Sequence, residues 1–291
     1  MCSRHEPSRS CQRLAKNMVS TVIAQAFEIA GTLELLPGGE GRTYRAGGVI
    51  YRGEADIAEA TYLADVYDRL PETGFRVPRP IRTRQGGWIS PAGWSAWTFV
   101  AGRPATKDDL PAAVTAIDAF HQALALEPYP AYLADRATPY DRADQAAWDN
   151  LPPEIDQRLR PFVTQLLRLR QPIDPLPAQL IHGDLNEHNI LVAPGVPPAI
   201  IDLTPYWRPP EFALAVLAYW LGPYRGDLSI LSAFAHVRNF DQMLVRVGLR
   251  TLLIAHEFSK LGRNLENVVD EFQTPTAIIV EWMNQRGQVY E

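Results

Sequence analysis

Three polar side chains stand close together in one stretch of the chain: Asp184, Asn189 and Asp202. The stretch opens with an apolar tripeptide, Gln179-Leu180-Ile181, followed by His182-Gly183-Asp184. Asn189 follows Asp184 by five residues. Ile190-Leu191-Val192 then reads as a strand, Pro194-Gly195 as a turn, and Ala199-Ile200-Ile201 as a second strand ending in Asp202. A strand, a loop and a hairpin thus present two carboxylates and one carboxamide from loop ends.

Phosphoryl transfer suits these residue types. It needs little covalent work from a protein. It needs an acceptor hydroxyl oriented, its proton accepted, and triphosphate charge neutralised by a metal ion. A carboxylate does the first two tasks. Mg2+ prefers oxygen ligands, and a carboxylate plus an amide carbonyl supply two, leaving the rest to phosphates and water. Asp184 therefore reads as the catalytic base, and Asn189 and Asp202 as metal ligands. A zinc site built from His182, Glu187 and His188 lacks a thiolate or a third spaced histidine. His182 and His188 read as structural supports.

The elements that must position these groups follow from periodicity. Residues 20–30 predict a short amphipathic helix. Around Thr43-Tyr44-Arg45, two glycine clusters predict strand, turn, strand, with Val49-Ile50-Tyr51-Arg52 as a further strand. Ala55 to Leu70 predicts a helix whose apolar stripe is Ala58, Tyr62, Val66 and Leu70. Val77-Pro78-Arg79-Pro80 reads as extended, and Gly86 to Ile89 with Ala96 to Val100 as a hairpin. Beyond Ala101-Gly102-Arg103-Pro104 the pattern turns helical: 112–126, 153–169, 212–221 and 240–261. A β-rich region before an α-rich one is α+β, with a cleft between lobes as the default ligand site. The expected organisation is a tail over 1–17, an N-lobe over 18–101 and a C-lobe over 102–291.

Bulk properties narrow the class. With 291 residues and 46% hydrophobic content, the chain can bury a core without staples. A net charge of -5 argues against a nucleic-acid partner. Both cysteines, Cys2 and Cys11, fall in the first dozen residues, so a disulfide framework is not implied and a reducing, cytoplasmic setting fits. No run of about 18 apolar residues exists to span a membrane. Arg4, Arg9, Arg13 and Lys16 precede the apolar stretch Met18 to Ala24, as in a signal peptide. That stretch is short and holds Ser20 and Thr21, so a tail before Met18 is the expectation.

The five-residue step from Asp184 to Asn189 equals that of the kinase catalytic loop, and the hairpin ends in an Asp as the kinase metal-binding segment does. Here His-Gly-Asp replaces His-Arg-Asp, and Ile201-Asp202-Leu203 replaces Asp-Phe-Gly. This combination resembles the aminoglycoside phosphotransferase-like superfamily, which includes choline, homoserine and fructosamine kinases. Ala199 to Pro210 is similar to an actinobacterial branch of it. The resemblance covers residues 33 to about 260 and implies a bilobal protein-kinase-like fold.

It also implies ATP or GTP as co-substrate, Mg2+, and a small-molecule hydroxyl acceptor, with no obligate protein partner. Gly38, Gly39 and Gly41 fall where that family covers the phosphates. Arg52 falls where it places a Lys or Arg on the phosphates, with Glu59 as the helical carboxylate partner and Glu54 and Asp56 as competitors. Phe99 and Val100 fall on the segment that would face adenine. Relatives often carry Asp-Pro-x-x-Asp-Leu-Ala after the metal Asp. Here Pro209-Pro210-Glu211-Phe212-Ala213-Leu214-Ala215 departs from it, apart from the offset Glu211. Tyr206, Trp207 and Arg208 would line the acceptor pocket or pack the loop, and His256 and Glu257 are acceptor-side candidates. Arg52 and the missing acidic stretch leave a second reading, a nucleotide-binding regulator with little turnover. The retained Asp184, Asn189 and Asp202 favour the enzyme.

Overall fold

A computed structural model describes residues 9–37, 41–149 and 154–287, with side chains from Met18 onward. The chain divides into two compact units. The first holds residues up to Pro71 and Val77–Ala101; the second holds Glu72–Arg76 and the chain from Gly102.

The first unit is a sheet with two helices. Helix α1 spans Arg9–Ala26, so the helix expected over 20–30 starts earlier and stops at Ala26. The expected tail lies partly outside the described residues, since 1–8 are not described. Strands β1 (Glu34–Leu35), β2 (Thr43–Ala46), β3 (Val49–Gly53), β4 (Pro80–Ile81) and β5 (Trp94–Thr98) form an antiparallel sheet in the order β1-β2-β3-β5-β4. One face buries Tyr51, Ala46 and Ala96 against Ile23, Ala26 and Phe27. The Tyr51 hydroxyl donates to the carbonyl of Glu28 at 2.6 Å, so the ring enters the core with its polar end satisfied.

Helix α2 (Ile57–Arg69) starts where Asp56 caps it, accepting the Glu59 N–H at 3.0 Å. It buries Ala60, Ala64, Val66 and Tyr67. Ala58 is exposed, so the inward face is turned from the expected stripe. Tyr67 meets Trp97 edge-on at 5.5 Å, which places α2 on the sheet face opposite Tyr51. The expected hairpin between 86–89 and β5 does not form. β5 pairs with β3 and with Pro80–Ile81 instead, and Gly86, at φ 86, turns the chain between Thr83 and Gly87.

The second unit is mostly helical. Its strands are β6 (Arg103–Pro104), β7 (Gln179–His182), β8 (Ile190–Val192), β9 (Ala199–Ile200) and β10 (Pro205–Arg208). β8 lies between β6 and β9, and β7 pairs with β10. Its helices are α3 (Leu110–Leu124), α4 (Ala131–Asp135), α5 (Pro139–Trp148), α6 (Arg160–Leu169), α7 (Pro210–Leu221), α8 (Phe240–Ser259) and α9 (Val268–Gln285). Of the helix expected over 153–169, residue 153 lies outside the described residues and 154–159 are not helical, since α6 starts at Arg160. Sequence periodicity misses α4, α5 and α9.

Helices α5 and α8 pack antiparallel. Arg142 pairs with Glu257 at 2.6 Å near one end, and Arg246 stands 5.2 Å over the Trp148 ring near the other. Among the described residues, no helix is long and apolar enough to cross a membrane.

Candidate active site

The candidate centre lies within the second unit, where two short loops meet. β7 delivers His182, and β10 runs back beside it with Pro205 opposite His182 and Tyr206 opposite Ile181. The hairpin β8–β9 turns at Gly195, φ 74, and ends next to Asp202.

His182 ties the two loops together. It is fully buried. Its Nδ1 accepts the Asp184 N–H at 3.2 Å, so the ring proton sits on Nε2, 3.0 Å from the Ile201 carbonyl. Burial depresses its pKa to about 4, which keeps the ring neutral. The main-chain N–H of His182 donates to Nε2 of His121 at 3.3 Å. The structural role expected for His182 follows from these bonds.

Asn189 is oriented by the same loop. Its side-chain amide donates to the Asp184 carbonyl at 2.8 Å. That bond uses the amide nitrogen as donor and fixes the carboxamide plane against the loop. Ile201 N–H in turn donates to the Asn189 carbonyl at 3.0 Å, binding the Asn189 and Asp202 loops to each other.

Asp202 has a left-handed backbone at φ 57. Among the described residues only Asn239 shares this conformation without being glycine. Asp tolerates it better than most residues, at a cost of about 1–3 kcal/mol. The side chain is exposed. Burial raises the pKa of the Asp184 carboxyl; Arg250 opposes that shift and Asp202 adds to it. The carboxylates therefore sense each other. Carboxylate and carboxamide oxygens are the donor types that a divalent cation with oxygen preference takes.

Gly183 is required by packing. A Cβ there would lie 2.0 Å from the Tyr206 ring. Its N–H donates to the Thr204 carbonyl at 2.8 Å. Tyr206 is buried, and burial pushes its pKa up to about 12. Tyr206 and Arg208 thus face the helices: Arg208 pairs with buried Asp144 at 2.7 Å. Both pack the loop. Trp207 points the other way and meets Tyr129 edge-on at 5.2 Å, with Tyr129 exposed.

Under the loop lies a residue that periodicity did not single out. Arg250 on α8 is buried and donates to the Gly183 carbonyl at 2.5 Å. It stands 3.7 Å from Asp144 and 5.0 Å over the Tyr206 ring. The available signal was the spacing of Gln242, Arg246 and Arg250, polar residues every four positions inside an apolar helix.

Glu187 is buried and its carboxylate pairs with Arg225, with His188 3.6 Å away. Among the described residues, no group of three or more His, Cys, Asp or Glu side chains could hold a metal ion, so the zinc alternative has no cluster to support it. His256 and Glu257 are buried too. The Glu257 carboxylate accepts from Arg142 and Lys260, each at 2.6 Å. It lines a cavity of about 340 Å3 with Arg142, Asp149, Leu253 and Lys260. His256 accepts the Asp156 N–H at 3.3 Å on Nδ1 and does not line that cavity.

The residues expected on the nucleotide side all belong to the first unit. Gly38 and Gly39, with Glu40, lie outside the described residues. Gly41 has a left-handed backbone, φ 73. Arg52 on β3 stands opposite Thr43 and Ser95, on the face that α2 covers. Of the competing carboxylates, Glu54 accepts from the Ser95 hydroxyl and Asp56 caps α2. Glu59 is half-buried in the first turn of α2. Phe99 commits its N–H to the Gly48 carbonyl at 2.8 Å, and the Arg45 guanidinium covers its ring at 3.5 Å. The Phe99 amide is therefore spent within the sheet, and a nucleobase edge would have to be read by its carbonyl or by Val100.

Comparisons with known proteins bear on the fold and the family. An amicoumacin kinase solved with AMP-PNP, Ca2+ and Ami is similar over 94% of this chain and 96% of its own, at 15% identity and a TM-score of 0.62. A thermostable mutant of an aminoglycoside phosphotransferase, solved with AMP-PNP and hygromycin B, matches over 91% and 97%, at 15% identity and a TM-score of 0.57. A choline/ethanolamine kinase family protein from Mesorhizobium loti matches over 95% and 98%, at 17% identity and a TM-score of 0.56. At these identities the likeness shows the fold, an α+β kinase-like one. No curated protein gives a significant match to the sequence. The profile described as "Phosphotransferase enzyme family" matches residues 34–241, more than half of the sequence. The chain belongs to that phosphotransferase enzyme family.

Proposed function

We propose that the chain transfers the γ-phosphoryl group of ATP or GTP to a hydroxyl of a small molecule. Asp184 is the base, and Asn189 and Asp202 hold Mg2+. The observation that carries this reading is the position of His182, which holds Asp184 and the Ile201-Asp202 peptide through its two ring nitrogens.

Asp184 orients the acceptor hydroxyl and takes its proton as the oxygen attacks phosphorus. The Asn189 carboxamide and the Asp202 carboxylate supply oxygen donors for the cation, which when bound offsets the charge on the phosphates. Burial around Asp184 strengthens its pull on the hydroxyl proton. In the first unit, Arg52 neutralises the α- and β-phosphates and Glu59 steadies it. The glycines at 38, 39 and 41 cover the triphosphate with backbone N–H groups. Phe99 and Val100 adjoin the base. The protein acts in the cytoplasm on a free metabolite or antibiotic, without a nucleic-acid or membrane partner.

A thermal-shift titration tests the nucleotide half. Mg-ATP or Mg-GTP should raise the melting temperature, and EDTA should remove the rise. Absence of any shift with folded protein would count against nucleotide binding. A screen of metabolites and antibiotics for stimulated nucleotide consumption tests the transfer half and identifies the acceptor class.

A further inference from the structure

We propose that Arg250 is a positioning residue for the phosphotransfer centre, acting through a chain of hydrogen bonds that reaches both carboxylate loops. The inference rests on the phosphotransfer reading for its meaning in turnover, but the chain itself is structural.

The atoms run in one direction. Arg250 Nη2 donates to the Gly183 carbonyl. The same peptide unit carries the Asp184 N–H, which donates to Nδ1 of His182. Nε2 of His182 faces the Ile201 carbonyl, whose peptide unit carries the N–H of Asp202. A guanidinium thus sits at one end of a series of aligned donors and acceptors. Each bond polarises the next, and the effect is stronger in a buried setting. Because Nδ1 must accept, His182 has a single tautomer, and a loss at Arg250 removes the charge that enforces the alignment.

The surroundings show that the cation is held for this contact. Arg250 is 6% exposed, and its other terminal nitrogen, Nη1, has no hydrogen-bond partner among the described residues. Asp144, at 3.7 Å, gives its better contacts to Arg208, at 2.9 and 2.7 Å. Tyr206 and Phe212 supply ring faces at 5.0 and 5.4 Å. A buried arginine is costly to keep unless fully paired. Its shortest contact is the Gly183 carbonyl, at the peptide that carries Asp184.

The test compares wild type, Arg250→Lys and Arg250→Met, each checked for folding by circular dichroism and melting. The first readout is long-range 15N–1H NMR of histidine-labelled protein. The chain has six histidines, and His182→Gln assigns the signal. Wild type should show His182 with its proton on Nε2 and a strongly hydrogen-bonded Nδ1. Arg250→Met should weaken that Nδ1 signature and bring in the second tautomer. The second readout is phosphate release from Mg-ATP with water as acceptor. Arg250→Met should lower kcat by about 10- to 100-fold, the usual effect of a group that orients a reacting shell. KM for Mg-ATP should stay within about twofold, since the contact is not to nucleotide.

A folded Arg250→Met or Arg250→Lys protein with an unchanged His182 signature and wild-type kcat overturns the proposal. If Arg250→Met does not fold, Arg250→Lys keeps the buried charge and decides it, with an intermediate kcat supporting the link. If wild type consumes no nucleotide with water or with any acceptor of the screen, the phosphotransfer reading fails by itself, and the His182 signature still decides whether Arg250 orients the loops.

Discussion

The loop region from Gln179 to Arg208 and the nucleotide-side region from Pro37 to Glu59 carry comparable numbers of proposed functional residues but are built differently. In the first, hydrogen bonds run through the centre: His182 to two peptides, Asn189 to the Asp184 carbonyl, Gly183 to Thr204 and Arg250. In the second, Arg52 and Gly41 have places in the fold, but their proposed roles depend on a triphosphate. The first region is organised by its own hydrogen bonds. The second is organised by a sheet, and its chemistry waits for a ligand. Substitutions in the first region should therefore damage chemistry or stability, and those in the second should damage nucleotide affinity.

Asp184→Asn gives the sharpest separation. Transfer to a hydroxyl acceptor should fall by about 100- to 10,000-fold, the range for losing a general base. The nucleotide-induced thermal shift should persist. Retained transfer would remove Asp184 from its role.

Acid should destabilise the second unit through His121. Burial depresses its pKa to about 3, with His182 adding to the effect, against about 6.5 in an unfolded chain. Unfolding then takes up a proton, so the stability is complete above about pH 6.5 and is lost progressively as pH falls toward 3, at about 1.4 kcal/mol per pH unit. Urea denaturation at several pH values should show this slope, and His121→Gln should flatten it.

Gly183→Ala should cost about 1–3 kcal/mol, because the new methyl group would lie against the Tyr206 ring. Chemical denaturation measures it, and in a double-mutant cycle with Tyr206→Ala the cost of Gly183→Ala should shrink. Full stability in Gly183→Ala alone would show that the loop is looser than its packing indicates.

Arg52→Ala should act on nucleotide affinity and leave the stability of the fold nearly unchanged. Losing a charge-assisted contact to phosphate should cost about 1.5–3 kcal/mol of nucleotide affinity. Titration calorimetry reads this, with kcat at saturating nucleotide changed much less. A large fall in kcat with unchanged affinity would place Arg52 with the first region and break the comparison.

The catalytic segment was legible because its information is local. Asp184, Asn189 and Asp202 sit at fixed steps around a turn and a hairpin, and short-range hydrogen bonds close that geometry. The start of α2 was nearly legible for the same reason, as Asp56 caps it from the preceding residue. The partner of β5 was not. Gly86 to Ile89 has the composition of a strand end, but the backbone bond from Thr83 to Gly87 competes locally, and Pro80–Ile81 takes the edge.

Helices α5 and α9 were missed because their stability comes from packing against α8, α6 and neighbouring turns rather than from a clean apolar stripe. The sequence by itself determined the phosphotransfer chemistry and the two-part, strand-then-helix order. Only the tertiary structure decided that Tyr206 and Arg208 support the loop, that Glu257 is held by two cations, and that Arg250 reaches Gly183. The Arg250–Gly183, Arg208–Asp144 and Arg142–Glu257 contacts each join residues more than sixty positions apart, and such meetings depend on how helices pack.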